Sequence, residues 1–264
     1  MRILILGASG LAGAEIRRTL DTPGNLVYGS CRNPAGAAGL CRYDLDGPGD
    51  LEAVLEETRP EAIVSCLRGD YEKQLEAHRT AGDYLAGRGG RMVYLSTANV
   101  FDGETDRPHY EDDPPRAESD YGRFKIACER LLAERLGENL AVLRLPEIWG
   151  RSAPRLRALK EADRTAGTAP VYDNIRINFT TDRQAAKWTE YILKQNLGGI
   201  FHAGTRDERT HGAFRRQLAK ALGLEGIRWE ANLSEGCQSI LPGRREIPEE
   251  LHISVDGVLD WLAG

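Results

Sequence analysis

Apolar positions along this chain fall into short runs separated by helix-length stretches. Ile3 to Leu6 is unbroken and ends at glycine, the pattern of a strand covered on both faces. Ala12 to Leu20 follows as a helix and Leu26 to Cys31 as a strand. Leu51 to Glu57 reads as a helix, Ala62 to Cys66 as a strand, Tyr71 to Arg88 as a helix and Arg91 to Ser96 as a strand. Tyr121 to Arg135 is a further helix, with Ser119 or Asp120 as its N-cap and Gly137 as its stop. Leu140 to Leu145 alternates into another buried strand.

Strands that alternate with helices in this rhythm specify an α/β fold with a parallel sheet covered on both faces. Right-handed crossovers then give a Rossmann-type, doubly wound sheet. The rhythm loosens after Trp149-Gly150. Residues 151–181 are rich in Arg, Ala and Thr, and the stretch from 224 onward has weak periodicity with Pro242 and Pro248. Between them, Asp182 to Leu193 and Thr210 to Leu222 read as helices flanking a strand at Ile200 to Ala203. The expected organisation is a core over residues 1–150, with a return at 182–203, and a smaller C-terminal lobe from 151–181 and 204–264.

A chain of 264 residues with 41% apolar and 28% charged residues has enough of each for a packed core and a charged surface. Its net charge of −5 argues against general affinity for nucleic acid or an anionic membrane. Five scattered cysteines without a CxxC suggest reduced thiols in a cytoplasmic protein. The histidines show no metal-binding spacing, so no metal is expected. No run approaches the roughly 20 apolar residues of a membrane span, and no leader is expected. Asn178-Phe179-Thr180 and Asn232-Leu233-Ser234 match a glycosylation acceptor, which we read as chance.

The first strand runs into ILILGASGLAG, with Gly7, Gly10 and Gly13 at a strand-to-helix turn. The first glycine permits the sharp turn, the second clears space for a pyrophosphate, and the third allows close helix–strand packing. Unpaired N–H groups at the helix start then favour an anion. This predicts a dinucleotide site at Gly7, Ser9, Gly10, Leu11 and Gly13. The end of the second strand, Val27 to Arg32, carries no carboxylate for ribose hydroxyls. Arg32 is instead suited to a 2′-phosphate, which favours NADP(H) over NAD(H). Asp44 and Leu45 are placed near the adenine.

Tyr121 and Lys125 lie four residues apart, so a helix puts both on one face. Ketone reduction needs a proton delivered to the carbonyl oxygen as charge develops there. A tyrosine phenol is a suitable donor if a nearby ammonium favours its anion. Ser96 and Thr97, at a strand end where parallel sheets bind ligands, add hydroxyls to polarise the carbonyl.

With these motifs the chain resembles the extended short-chain dehydrogenase/reductases, and among them the dTDP-4-dehydrorhamnose reductase branch. GASGLAG (7–13), LSTANVFDG (95–103), EDDPP (111–115) leading to YGRFK (121–125), and PEIWG (146–150) carry the resemblance. GIFHAG (199–204) and the GAFRRQLAKALGL helix extend it more weakly. The resemblance implies Tyr121 as proton donor, Lys125 as its partner and Thr97 as the polarising hydroxyl. It implies cofactor contacts from Cys66, Ser96 and Pro146, and substrate contacts from Asn99, Phe101 and Glu147. A loop around Asp173, Asn174 and Arg176 would cover a nucleotide-sugar, with Arg244 or Arg245 facing its phosphates.

The chain departs from that branch at Ala98-Asn99 and at Ser65 to Arg68. Ala98-Asn99 lacks the acid/base carboxylate pair of a related dehydratase, which favours simple reduction. The expected activity is NADPH-dependent reduction of a keto group, 4-keto by preference, on a nucleotide-activated sugar or related ketone. A sugar-nucleotide epimerase remains an alternative. So does a non-catalytic NADP-binding subunit like the regulatory subunit of methionine adenosyltransferase. Expected partners are a small-molecule substrate, neither nucleic acid nor membrane, with a homodimer allowed.

Overall fold

The computed structural model of the chain describes residues 1–34, 38–47 and 50–264. Its first half runs β1 (Arg2–Leu6), α1 (Leu11–Leu20), β2 (Leu26–Cys31), β3 (Leu40–Arg42), α2 (Leu51–Thr58), β4 (Ala62–Ser65), α3 (Tyr71–Ala86), β5 (Arg91–Thr97), α4 (Asp120–Leu136) and β6 (Leu140–Leu145). Then come β7 (Glu147–Trp149), α5 (Pro154–Arg164), β8 (Thr168–Ile177), β9 (Phe179–Thr181), α6 (Asp182–Lys194), β10 (Gly199–His202), β11 (Arg209–Thr210), α7 (His211–Ala221), β12 (Arg228–Cys237) and α8 (Val255–Ala263). Among the described residues no helix is long and apolar enough to cross a membrane.

Seven strands form one sheet in the order β10-β6-β5-β4-β1-β2-β3. β1 lies parallel to both β2 and β4, with Ile3 opposite Val27 and Ala62, and the chain reverses direction across the sheet there. This is the doubly wound Rossmann order expected from the sequence. The chain divides into two compact units, each described on its own below: residues 1–96, 123–143 and 185–201, and residues 97–122, 144–184 and 202–264.

In the first unit the strands are apolar on both faces because both are covered. Ile3, Leu4, Ile5 and Leu6 are fully buried. One cluster joins Leu4, Leu6 and Ile63 of the sheet to Leu55, Leu85 and Leu132 of the helices. Burying each such aliphatic side chain contributes roughly 1.5–3 kcal/mol. The predicted elements of this unit match the observed ones to within one or two residues at each end. β3 has three residues, none fully buried, and is held by pairing with Gly29 to Cys31 of β2.

The second unit holds a three-stranded sheet, β11-β8-β12, and a parallel pair, β7-β9. Here the sequence reading needs correction. The expected loop around Asp173, Asn174 and Arg176 is part of β8, paired on one side with β11 and on the other with β12. The aperiodic stretch after 224 contains β12, with a bulge between Asn232 and Glu235, and the helix α8 capped by Ser254. Trp149, Phe179 and Phe214 pack this unit's interior, the two phenylalanines stacked at 3.8 Å between ring centres. Asn178 is fully buried. Its amide nitrogen donates to the carbonyls of Thr205 and Ile240 and its oxygen accepts from the Ile240 N–H, leaving no room for a glycan.

Candidate active site

The glycine turn is built as the sequence demands. Gly7 has φ +80°, the left-handed region that other residues avoid, and a Cβ there would sit 2.8 Å from the Cys66 carbonyl. A Cβ on Gly13 would approach the Gly7 carbonyl to 2.3 Å, so only glycine lets α1 close on the turn. The turn is pinned to the end of β2: the Gly7 N–H donates to Ser30 Oγ and the Ala8 N–H to the Ser30 carbonyl. Gly10 is the N-cap of α1 and offers no side-chain acceptor to the helix's first N–H groups. Ser9 and Gly10 are exposed and Leu11 is half-buried, which leaves this cradle open to an anion. The residues present therefore fit a dinucleotide pyrophosphate.

Lys125 sits in the same unit and is 5% exposed. Its Nζ donates to the Leu95 carbonyl at 3.0 Å and lies 4.7 Å from the centre of the Tyr94 ring. Burial pushes its ammonium from 10.5 down to about 8, although Cys128 and Glu129 pull the other way. Ser96 Oγ donates to Glu129 Oε1 at 2.5 Å, so α4 grips the end of β5 twice. Below this, His78 Nε2 lies 2.8 Å from Ser65 Oγ, and burial, then Lys125, lower its pKa to about 3, keeping it neutral. Cys66 is half-buried, and burial raises its thiol to about 12, so it stays protonated.

In the second unit Thr97 opens a turn of 3-10 helix over Ala98–Phe101. Its Oγ1 accepts from the Asn99 N–H and donates to Asn99 Oδ1 at 3.1 Å. This turn packs tightly on the start of α4: a Cβ on Gly122 would lie 2.2 Å from the Asn99 carbonyl. Tyr121, the preceding residue, is exposed to 38%. Thr97 and Tyr121 are thus held on two turns in close contact. Tyr121 and Lys125 share α4 at a spacing of one helical turn.

The family model described as "RmlD substrate binding domain" matches residues 1–242. The chain belongs to this family. As an RmlD-family member it is an extended short-chain dehydrogenase/reductase of the dTDP-4-dehydrorhamnose reductase-like branch. Over 242 residues it is 26% identical to dTDP-4-keto-6-deoxy-D-glucose reductase of Streptomyces niveus, covering 85% of this chain and 80% of that one. It is 28% identical over 162 residues to methionine adenosyltransferase 2 subunit beta of Bos taurus, covering 56% of this chain and 47% of that one. The crystal structure of dTDP-4-dehydrorhamnose reductase from Bacillus anthracis in complex with NADP matches with a TM-score of 0.83. It has 16% identity and covers 99% of this chain and 98% of that one.

Several residues expected to bind ligands in this RmlD-family protein are engaged elsewhere. Arg32 is paired with Asp44 at 3.4 Å and Asp46 at 3.2 Å, and Lys73 reaches Asp46 at 3.3 Å. Carboxylates from after β3 therefore stand beside the strand end that carries none of its own. Leu45 is half-buried and packs against the first unit's core. Phe101 was expected at the substrate. It is 3% exposed and stacks on His109 at 4.2 Å, with the Arg144 guanidinium over it at 5.0 Å, so its task is packing.

Pro146 is buried against Gly204. Glu147 pairs with Arg155 at 2.8 Å, with His211 Nε2 at 4.0 Å from its other oxygen. Asp173 is held by a two-pronged contact with Arg216, Arg176 pairs with Glu208, and Arg244 pairs with Glu246. Asp173, Asn174 and Arg176 do line an open groove of about 1060 Å³ in the second unit. Glu104, Asp106, Arg116 and Glu235 line it too, and its carboxylates outnumber its arginines, which disfavours sugar phosphates. Residues the sequence did not single out include Asp46, Lys73 and Asp102, the last of which lies in the FDG triplet of LSTANVFDG.

Proposed function

We propose that the protein is an NADPH-dependent reductase of the 4-keto group of a nucleotide-activated sugar. One observation carries this reading: Tyr121 and Lys125 share a face of α4, whose first turn is pressed against the turn begun by Thr97. The glycine cradle and the family's named reductases support it. Gly7, Gly10 and Gly13 hold the pyrophosphate, and Arg32 with Lys73 receive the 2′-phosphate in place of Asp46. When held there, a nicotinamide would supply the hydride for the carbonyl carbon. Tyr121 gives its phenolic proton to the carbonyl oxygen, so that the C=O double bond becomes a C–O single bond with a new C–H and a new O–H. Lys125, an ammonium buried beside the sheet end, favours the phenolate left behind. Thr97 Oγ1 orients the carbonyl oxygen. The five cysteines are free, which suits a reducing cytoplasm.

The test is loss of nicotinamide absorbance with a dTDP-4-keto-6-deoxy sugar, comparing wild type with Tyr121→Phe. The variant should bind NADPH normally and reduce the sugar at least about a hundredfold more slowly. Retained turnover would remove Tyr121 from the mechanism. A second reading, a non-catalytic nucleotide-binding subunit, is favoured by the likeness to methionine adenosyltransferase 2 subunit beta. Stoichiometric capture of a methionine adenosyltransferase catalytic subunit, with no ketone reduction, would select it.

A further inference from the structure

The loop between β5 and α4 contains a carboxylate that the mechanism above does not use. Asp102 follows the turn of 3-10 helix, and its Oδ1 accepts from the N–H groups of Glu118 at 2.6 Å and Ser119 at 3.2 Å. Its Oδ2 accepts from the Ser119 hydroxyl. Ser119 Oγ in turn accepts from the Gly122 N–H at 3.0 Å, capping the first turn of α4. One residue on, Gly103 donates its N–H to the Arg116 carbonyl and closes the same loop. The Asp102 backbone N–H also reaches back to the Asn99 carbonyl, the atom that leaves no room for a side chain at Gly122.

These contacts form one short chain: Thr97 to Asn99, Asn99 to Asp102, Asp102 to Ser119, Ser119 to Gly122. Tyr121 lies between the last two. All belong to the second unit, so the arrangement stands on that unit's own geometry.

We propose that Asp102 and Ser119 are positioning residues for the proton donor: they fix the first turn of α4, and so the Tyr121 phenol, relative to the Thr97 hydroxyl. The inference rests on the reductase reading above. Three donors converge on Asp102, and only a carboxylate accepts them all. Asparagine would turn an N–H₂ toward one of those donors. The serine transmits the constraint, because its hydroxyl both donates to the carboxylate and accepts from the helix. A leucine-sized cap could not do this, whereas threonine could. Displacement of a catalytic group by an ångström costs on the order of a hundredfold in rate. A frayed first turn should therefore appear in the chemical step.

The experiment uses the full chain with NADPH and a dTDP-4-keto-6-deoxy sugar. Asp102→Asn and Ser119→Ala should each lower kcat about tenfold or more while the NADPH Kd stays within about twofold. The solvent isotope effect on kcat should rise, because proton transfer becomes limiting. Ser119→Thr should return kcat to near the wild-type value. The double variant should be little worse than either single one, since both break the same chain. Unchanged kcat and isotope effect in Asp102→Asn would overturn the proposal, as would loss explained wholly by a smaller folded fraction.

If the wild type reduces no keto sugar, the reductase reading fails instead, and amide exchange decides the clamp. Loss of protection at Tyr121 and Gly122 in Asp102→Asn, with the rest of α4 unchanged, supports it. Equal protection in both proteins overturns it.

Discussion

Lys125→Met should make the protein more stable and inactive. The lysine ammonium is held where it is 5% exposed, and its pKa falls from 10.5 to about 8. Each pKa unit corresponds to about 1.4 kcal/mol, so keeping the charge in place at neutral pH costs on the order of 3 kcal/mol. Methionine has nearly the same length and keeps the packing. It gives up the bond from Nζ to the Leu95 carbonyl, worth about 1 kcal/mol. The net gain is about 2 kcal/mol, a rise in Tm of roughly 4–8 °C for a chain of this size.

The pH dependence gives a second check. Below pH 8 both folded and unfolded chains hold the proton and the penalty is complete. Between pH 8 and 10.5 the folded chain releases its proton first, so wild-type stability rises with pH across that window. Melting curves of both proteins from pH 7 to 10.5 should show the variant's advantage shrinking toward the alkaline end. A variant that melts below wild type at pH 7, or an advantage that does not shrink, would refute the reasoning.

Three other outcomes are expected. Gly13→Ala places a methyl 2.3 Å from the Gly7 carbonyl, so NADPH binding should be lost, with a stability cost of about 1–3 kcal/mol measured by urea titration. Gly122→Ala drives a methyl to 2.2 Å from the Asn99 carbonyl; it should lower kcat strongly while NADPH still binds, as read by nicotinamide fluorescence. Arg32→Ala should weaken NADPH binding about tenfold and leave NADH unaffected, whereas Asp46→Asn should tighten NADPH by removing a competing carboxylate. Equal effects on both cofactors would show that Arg32 does not read the 2′-phosphate.

The first unit was legible because a strand covered on both faces is a continuous apolar run, as in Ile3 to Leu6. β8 and β12 were not. Of β12 only Cys237 is buried, so that strand exists through pairing with β8 and not through apolar alternation. β8 does alternate, with Ala169, Val171 and Ile177 buried, but Pro170 and Asp173 interrupt the pattern in sequence. The helix α8 did carry its signal, in Val255, Val258, Leu259 and Leu262, but its nine residues are few for periodicity to stand out. In the site, the glycine turn and the Tyr121–Lys125 spacing could be read because both are local. Asp46 beside Arg32 could not, since the folding of separate loops brings them together. Asp102 acts on backbone donors, which sequence does not distinguish. Phe101 misled for the opposite reason: it adjoins the site in sequence while its ring points into packing.

The bulge in β12 has a consequence for solubility. β12 is an edge of the three-stranded sheet and runs ten residues, long enough to recruit a second extended chain by backbone pairing. The break between Asn232 and Glu235 interrupts its ladder at the point where Leu233 stands 92% exposed, and Glu230 and Glu235 flank it with like charge. An extended segment adding to this edge would lose register within a few residues and meet repulsion on both sides. The irregularity thus serves as a guard against edge-to-edge fibre growth, and straightening it would turn a harmless strand into a template for aggregation.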